Sequence, residues 1–318
     1  MELPYELKQI IENEAQKIKT SSLSAAAEAI SEKYRREKGD GSRIVTDKTE
    51  TAAYSAVRMP ATFGAVSAAL SYAKECAGIE ITSLIDAGAG TGAAAWAFAE
   101  VFDKAERVIC LEREASMSSF GRYLMEEGGF PAEYLWKEFD IASDEITDKA
   151  DLVTASYMLN ELNEKSRIRA VEKLWNGAEK MLLIVEPGTM AGYRNIIAAR
   201  DFLISVGARI AAPCPANSTC PLPENDWCHF TVRVPRTRLH KSLKGGDVPY
   251  EDEKFCYIAA VRGEAKPCKN RILRHPKIES GKITLRLCSG GNITEQIVTK
   301  KSGDSFKKAR KADCGDSF

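Results

Sequence analysis

Ser83-Leu84-Ile85-Asp86-Ala87-Gly88-Ala89-Gly90-Thr91-Gly92-Ala93 is the stretch that decides how this chain is built. An apolar-rich run from Ile79 to Ile85 meets Asp86 and three alternating glycines, then gives way to Ala93-Ala-Ala-Trp96-Ala-Phe98-Ala99. The first part predicts a strand and the last a helix, so the glycines fall on a strand-to-helix turn. Glycine lets the backbone turn sharply there and lets a ligand approach a helix N-terminus without meeting a Cβ. The stretch reads as a nucleotide-binding corner.

Working outward, strand and helix alternate downstream of the corner. Strands are expected at 81–86, 107–111, 134–138, 151–156 and 181–186, with helices at about 92–103, 115–128, 161–179 and 191–206. That alternation predicts an α/β fold on a parallel, Rossmann-like sheet. Upstream, Leu7, Ile10, Ile11, Ala15 and Ile18 share one face of a helix over 4–19. A second helix, about 22–38, repeats the pattern with Leu23, Ala26, Ile30 and Tyr34 before a Gly39–Ser42 loop. Asp47 with Glu50 resembles a capping box for a third helix through Val57, and Pro60 opens a fourth to about Ala77. Residues 1–78 are thus expected to be a helical extension. Past Gly207 the alternation stops, and a loop of cysteines and prolines fills 213–229 before strands at Phe230–Val234 and Lys254–Val261. Residues 79–265 are read as the α/β domain, and 266–318, with strand-like pieces at 282–288 and 292–299, as a small basic β-module.

The 318 residues carry zero formal net charge, with 44% apolar and 28% charged side chains, the composition of a soluble globular protein. No apolar run approaches the roughly 20 residues that span a bilayer. The start, Met1-Glu-Leu-Pro-Tyr-Glu6, has neither a secretory core nor an Arg-rich transit pattern, which sets a cytoplasmic expectation. Nothing sets the oligomeric state, and a monomer is the default. The zero net charge hides an asymmetry: residues 266–318 hold 13 Lys/Arg against 5 Asp/Glu, a net of +8, which leaves −8 on residues 1–265. A basic tail on an acidic body suits a polyanion such as RNA, or is simply a solvated segment.

Gly88-x-Gly90-x-x-Ala93 can be fitted to a dinucleotide fingerprint, so the glycines alone do not choose a ligand. Asp86 favours S-adenosylmethionine, because a carboxylate two residues before the first glycine can pair with the ligand's ammonium group. A nicotinamide site would leave it unexplained. Asp-x-Gly-x-Gly-x-Gly is the form seen in class I methyltransferases. Asp86, Gly88, Ala89, Gly90 and Gly92 are therefore candidate cofactor contacts. Glu112 ends the second strand, placed for both ribose hydroxyls, and Asp140 follows the third as an adenine-edge contact or a turn cap. The fourth strand runs into Ser156-Tyr-Met-Leu-Asn160-Glu161-Leu162, without the Asn/Asp-Pro-Pro-aromatic motif whose carbonyls hold the target amine in amino-methylating enzymes. Asn160 and Glu161 are the catalytic candidates; the alternative for Asn160 is to cap the next helix. No general base stands out, and transfer from a sulfonium to a good nucleophile needs chiefly alignment.

Nine cysteines without an export signal argue against a disulfide framework. Cys76, Cys110 and Cys256 read as small core residues. Cys214, Cys220 and Cys228 form a C-x5-C-x7-C array interrupted by prolines, which is neither strand nor helix and presents thiols as metal or cluster ligands. His229, Cys288, Cys268 and Cys314 are candidates for a fourth ligand. The wide spacing leans to iron–sulfur, with zinc the alternative.

Several segments together resemble a known family. Thr51-Ala-Ala-Tyr-Ser-Ala-Val-Arg-Met-Pro-Ala-Thr62, Leu84–Gly92, Met158-Leu-Asn-Glu-Leu162, Pro213-Cys-Pro through Trp227-Cys-His-Phe230, Tyr250-Glu-Asp-Glu-Lys-Phe255 and Arg271–Asp316 are similar to the Rsm-type ribosomal small-subunit methyltransferase-like family, which has a mitochondrial member. The similarity runs from about residue 30 to the end. It implies a class I methyltransferase fold that associates with the small ribosomal subunit during assembly and contacts rRNA. It also implies a 4Fe-4S cluster on Cys214, Cys220, Cys228 and Cys288, which sets aside His229, Cys268 and Cys314. Where relatives tend to have Trp, this chain has Cys314. Two functions are compatible with the resemblance: S-adenosylmethionine-dependent methyl transfer to rRNA, or a catalytically inactive assembly factor that keeps the pocket and the cluster.

Overall fold

The computed structural model describes residues 1–35 and 45–318. The expected helix end at 36–38, the side chain of Tyr34 and the Gly39–Ser42 loop lie outside the described residues. Four helices come first: α1 (Tyr5–Gln16), α2 (Thr20–Arg35), α3 (Lys48–Val57) and α4 (Met59–Ala77). Asp47 caps α3, accepting from the N–H groups of Thr49 and Glu50, while the Glu50 carboxylate turns back to Thr46 N–H at 2.7 Å. Pro60 stands in the first turn of α4, where its missing N–H costs nothing, and Gly78 ends the helix at φ 62°.

The alternating stretch then unfolds as predicted, with ends moved by at most three residues: β1 (Ser83–Ala87), α5 (Ala93–Val101), β2 (Arg107–Glu112), α6 (Ala115–Glu127), β3 (Glu133–Glu138), β4 (Ala150–Ser156), α7 (Glu164–Gly177), β5 (Ala178–Pro187) and α8 (Met190–Ser205). Beyond it lie β6 (Arg209–Ala212), β7 (Phe230–Pro235), α9 (Arg238–Lys244) and β8 (Tyr250–Val261). The four-residue β6 is too short to show a period, and neither it nor α9 was foreseen.

These eight strands form one sheet in the order β3-β2-β1-β4-β5-β8-β6, with β7 also paired to β8. β1 to β5 are parallel; β8 runs antiparallel to β5, and its other edge takes β6 at Ala259–Val261 and β7 at Tyr250–Phe255. This is the sheet of the class I methyltransferases, an α/β Rossmann-like fold. Successive side chains alternate between its faces. Leu84, Val108, Leu152 and Leu183 pack with the α4–α5 side. Ile85, Ile109, Val153 and Leu182 pack with α7 and α8. Burial on both faces is why the strands read as nearly unbroken apolar runs.

The remaining residues form β9 (Asn270–Ile272), β10 (Lys277–Glu279), β11 (Lys282–Ser289), β12 (Asn292–Thr299) and α10 (Asp304–Lys311). Ile283, Leu285, Leu287 and Val298 make a small separate core, closed by Ala309 and Phe306 of α10. Outward, α10 and the turn before it expose Lys300, Lys301, Lys307, Lys308, Arg310 and Lys311. Among the described residues no helix is long and apolar enough to cross a membrane.

Not every basic residue of this region faces solvent. Asp226, in the cysteine loop, receives the guanidinium groups of Arg274 and Arg286, the latter at 2.6 Å, and so joins the loop to β11. Ser317 reaches Glu75 of α4 at 2.9 Å. Asp226→Ala removes a half-buried anion shared by two guanidinium groups and is expected to cost about 2 kcal/mol. Hydrogen exchange should quicken across 270–318 while the β1–β5 amides keep their protection; unchanged exchange there would show that the ion pairs do not hold the module.

Candidate functional site

The strand order reverses between β1 and β4, and in an open α/β sheet the crevice at such a switch point takes the ligand. A cleft lies there, lined by Gly88 and Gly90, Glu112 and Arg113 after β2, Asp140 after β3, Tyr157, Met158 and Glu161 after β4, and Tyr54 of α3. Gly88 (φ 69°) and Gly90 (φ 58°) both need the left-handed region. A Cβ on Gly88 would also come within 3.2 Å of the Met158 side chain and start to fill the cleft. The Gly88 and Ala89 N–H groups donate to Leu111 C=O at 2.9 and 3.1 Å, which anchors the turn to the end of β2. Gly92 sits at the N-terminus of α5, beneath the turn.

Asp86 is wholly buried between its β2 and β4 neighbours, Cys110 and Thr154. Thr154 Oγ1 donates to one carboxylate oxygen at 2.7 Å; the other, Oδ2, has no partner among the described residues. Burial pushes Asp86 up to about 7. An orphaned carboxylate oxygen under the glycine turn suits a cationic ligand group. Glu112 meets protein first: its two oxygens accept from the N–H groups of Gly90 (2.7 Å) and Glu114 (2.8 Å). Ribose hydroxyls at Glu112 would share or replace these bonds. Asp140 accepts from Ala142 N–H at 2.9 Å, the turn-capping role, while still lining the cleft.

The catalytic candidates separate. Leu159, Asn160 and Glu161 form a single 3-10 turn. The next helix, α7, is capped by Asn163, whose Oδ1 accepts from Ser166 N–H at 3.1 Å, so the capping alternative for Asn160 falls to its neighbour. Glu161 faces the cleft, with Arg113 at 3.8 Å, and burial raises it to about 7. Three residues take roles here that only the fold assigns. Tyr157 holds φ 59°, a strained value for a residue with a side chain, and its hydroxyl donates to Glu253 at 2.8 Å. Glu186, fully buried and raised by burial to about 8, accepts from Leu159 N–H and Asn195 and so ties the turn to β5 and α8. Arg167 Nε donates to the carbonyls of both Leu159 (3.1 Å) and Leu162 (3.0 Å).

The cysteine loop bridges β6 and β7. Cys214, Cys220, Cys228 and Cys288 all line one cavity between the loop, α8 and β11. Burial penalises the charged forms of Cys214, Cys228 and Cys288 most, and repulsion between thiolates adds to it. Cys228 is pushed well above the thiol range, Cys288 up to about 12, and Cys214 upward. Such a set suits a soft cation or cluster as its common partner. The thiols do not converge, however: among the described residues no group of three His, Cys, Asp or Glu side chains could hold a metal ion as they stand. Tyr193 Oη lies 3.2 Å from Cys220 Sγ, and the Arg200 guanidinium donates to the loop carbonyls of Ala216 and Ser218. The donor identities fit a cluster; the separations do not yet form its cage. Cys314 is buried, its thiol directed at His229 C=O at 3.7 Å.

Sheet order, glycine turn and switch-point cleft define a class I methyltransferase-like protein. Residues 48–318 match the family model described as Rsm22, mitochondrial small ribosomal subunit, and the chain belongs to that family. It is 25% identical over 288 residues to the human mitochondrial ribosome assembly protein METTL17, which covers 83% of this chain and 61% of that protein. It is 26% identical over 227 residues to the mitochondrial Rsm22-cox11 tandem protein 2 of Schizosaccharomyces pombe, covering 54% of this chain and 29% of that one. The chain thus spans less than two thirds of either relative. Among solved structures, magnesium protoporphyrin IX methyltransferase from Synechocystis shares 16% identity over 73% of this chain and 93% of its own (TM-score 0.43). A SAM-dependent methyltransferase from Aquifex aeolicus shares 13% over 68% and 99% (TM-score 0.42). These likenesses add nothing to the sheet order, which stands on its own.

The cytoplasmic expectation is overturned: the family description and the curated relatives are mitochondrial. It rested on the residues at the start of the chain, and these carry no weight in a chain that matches only part of its relatives' length.

Asp86 gives the cleft a pH signature. Its carboxyl, at 3.8 when free in solution, is raised in the fold, so its contribution to stability is full below that value and lost as pH climbs through about 7. A cation beside it reverses the preference and expels the proton. Affinity for S-adenosylmethionine, measured by calorimetry, is expected to rise about tenfold between about pH 6 and pH 8, with proton release. Asp86→Asn should flatten the profile; a flat wild-type profile would remove Asp86 from the site.

Proposed function

We propose that this chain binds S-adenosylmethionine in the switch-point cleft and works on the small ribosomal subunit during its assembly, with rRNA as the macromolecule it touches. The carrying observation is Asp86, a buried carboxylate with one unpartnered oxygen two residues before a left-handed glycine turn. Asp86, Gly88, Ala89, Gly90, Gly92, Glu112 and Asp140 serve as the cofactor contacts, and Asn160 or Glu161 meets the acceptor. In this reading residues 1–78 close over the cleft, 79–265 carry it, and 266–318 grip phosphates through exposed lysines such as Lys307 and Lys311. The relatives' printed names, a mitochondrial ribosome assembly protein among them, support the subunit as partner.

Cys214, Cys220, Cys228 and Cys288 would hold a 4Fe-4S cluster, zinc being the alternative. When bound, such a group supplies a rigid cross-link; the chain's own residues bring the loop and β11 to it. Three thiols come from the loop and the fourth from the basic module, so ligation would lock the module against the sheet. Anaerobic protein is expected to be brown and to carry iron. Cys288→Ser should lose the iron and Cys314→Ser should keep it; colourless protein with one zinc per chain would replace the cluster with zinc.

A second reading, an assembly factor without methyl transfer, is favoured by one observation. The Leu159 and Leu162 carbonyls in the turn after β4 already accept from Arg167, where amino-methylating enzymes offer carbonyls to the target amine. Tritium transfer from labelled cofactor to immature small subunits separates the two: labelled rRNA means transfer, whereas cofactor binding without label means a factor. No cofactor binding at all would overturn the proposal.

A further inference from the structure

Two of the segments that carry the family likeness, Thr51–Thr62 and Tyr250–Phe255, contribute little to the site as built so far. In the fold they meet beside the cleft. Arg58, at the junction of α3 and α4, places its guanidinium 3.5 Å from Oε1 of Glu253 in β8. The same oxygen accepts from the Tyr157 hydroxyl at 2.8 Å, and the Arg58 guanidinium lies 5.9 Å from the centre of the Tyr157 ring. Glu253 is 8% exposed, and a carboxylate so placed needs a positive partner, which Arg58 supplies. Side chains alternate along β8, so Glu253 shares the sheet face of Phe255 and Tyr257, which packs with α4.

The arrangement converges on Tyr157. Among the described residues it alone combines a side chain with a positive φ, 59°. An L residue keeps that conformation only where its surroundings fix it, and such strain concentrates at ligand sites. Two bonds fix it here: its N–H donates to Val185 C=O at 2.7 Å, and its hydroxyl donates to Glu253. The resulting turn takes the chain off the end of β4 and lays the Met158 side chain against Gly88, where an added Cβ would meet it at 3.2 Å. Tyr157 and Met158 line the cleft together with Tyr54, one helical turn before Arg58.

We propose that Arg58 and Glu253 are positioning residues of the cleft. Acting through the Tyr157 hydroxyl, they hold the left-handed turn that sets Tyr157 and Met158 against the glycine corner, and so set the affinity for S-adenosylmethionine. Neither lines the cleft itself. The inference rests on reading the cleft as an S-adenosylmethionine site. It gives the two segments one shared task and makes the helical layer and β8 part of cofactor recognition. The Arg58 end of α3 cannot leave β8 without stranding the Glu253 charge, and the same end carries Tyr54 into the cleft.

A double-mutant cycle on the full chain, read by calorimetry with S-adenosylmethionine, tests this. Tyr157→Phe keeps the ring and Glu253→Ala removes the acceptor, so each deletes the same bond and should weaken binding about tenfold. Together they should weaken it little more than either alone. Glu253→Gln, which keeps an acceptor oxygen, should bind more tightly than Glu253→Ala, and Arg58→Lys, which keeps the charge, more tightly than Arg58→Met. Without any ligand, amide exchange across 157–162 should quicken in Tyr157→Phe while β1 keeps its protection. Unchanged affinity in both single variants, losses that add, or unchanged exchange across 157–162 would each overturn the positioning role. Equal binding by the two Arg58 variants would take Arg58 out of it. An unaltered chain that binds no S-adenosylmethionine would instead remove the cofactor reading of the cleft, with the exchange measurement still deciding whether Glu253 holds the turn.

Discussion

The main-chain ladder of β8 is the constraint on which both candidate sites depend. One edge of this strand pairs antiparallel with β5 from Met181 to Pro187, and the other is shared by β6 and β7. The cysteine loop leaves from β6 and returns through β7, so both of its ends are pinned to the same strand. That fixes where Cys214, Cys220 and Cys228 can go, even though prolines deny the loop a helix or strand of its own. The chain then leaves β8 directly for the basic module, which folds back until Cys288 of β11 joins the same cavity.

The two sites share a physical character. Each holds groups whose charged forms burial disfavours: Asp86, Glu161 and Glu186 near the cleft, and the Cys214, Cys228 and Cys288 thiols in the cysteine cavity. Burial favours their neutral forms, and a ligand of opposite charge would relieve the penalty. Residues 270–318 are tied to the rest of the chain through Asp226 on the outside, Arg271 within and Ser317 on Glu75.

Methyl transfer would require an acceptor to enter the turn after β4, and this turn is unusually committed to its own chain. Arg167 takes two of its carbonyls, Glu186 takes Leu159 N–H, and Tyr157 is held at positive φ with its hydroxyl on Glu253. These bonds are the ground for the second reading, cofactor binding without methyl transfer.

The residues themselves determined the parallel sheet, the glycine corner, the Asp47 cap and the special character of the cysteine loop. Each is a local signal: apolar runs, turn residues at fixed offsets, or thiols among prolines. The tertiary structure alone decided what these groups face. Glu112, which lines the cleft, also braces Gly90; Asn160 yielded the helix cap to Asn163; Cys76 looked like a small core residue and lies against Arg271, 195 positions away. Short elements such as β6 and α10 were illegible because four to eight residues carry too little period to register. Partners that meet across hundreds of residues leave no mark in local spacing. Their pairing is set by strand order and by the need to compensate buried charge, and both exist only once the chain has folded.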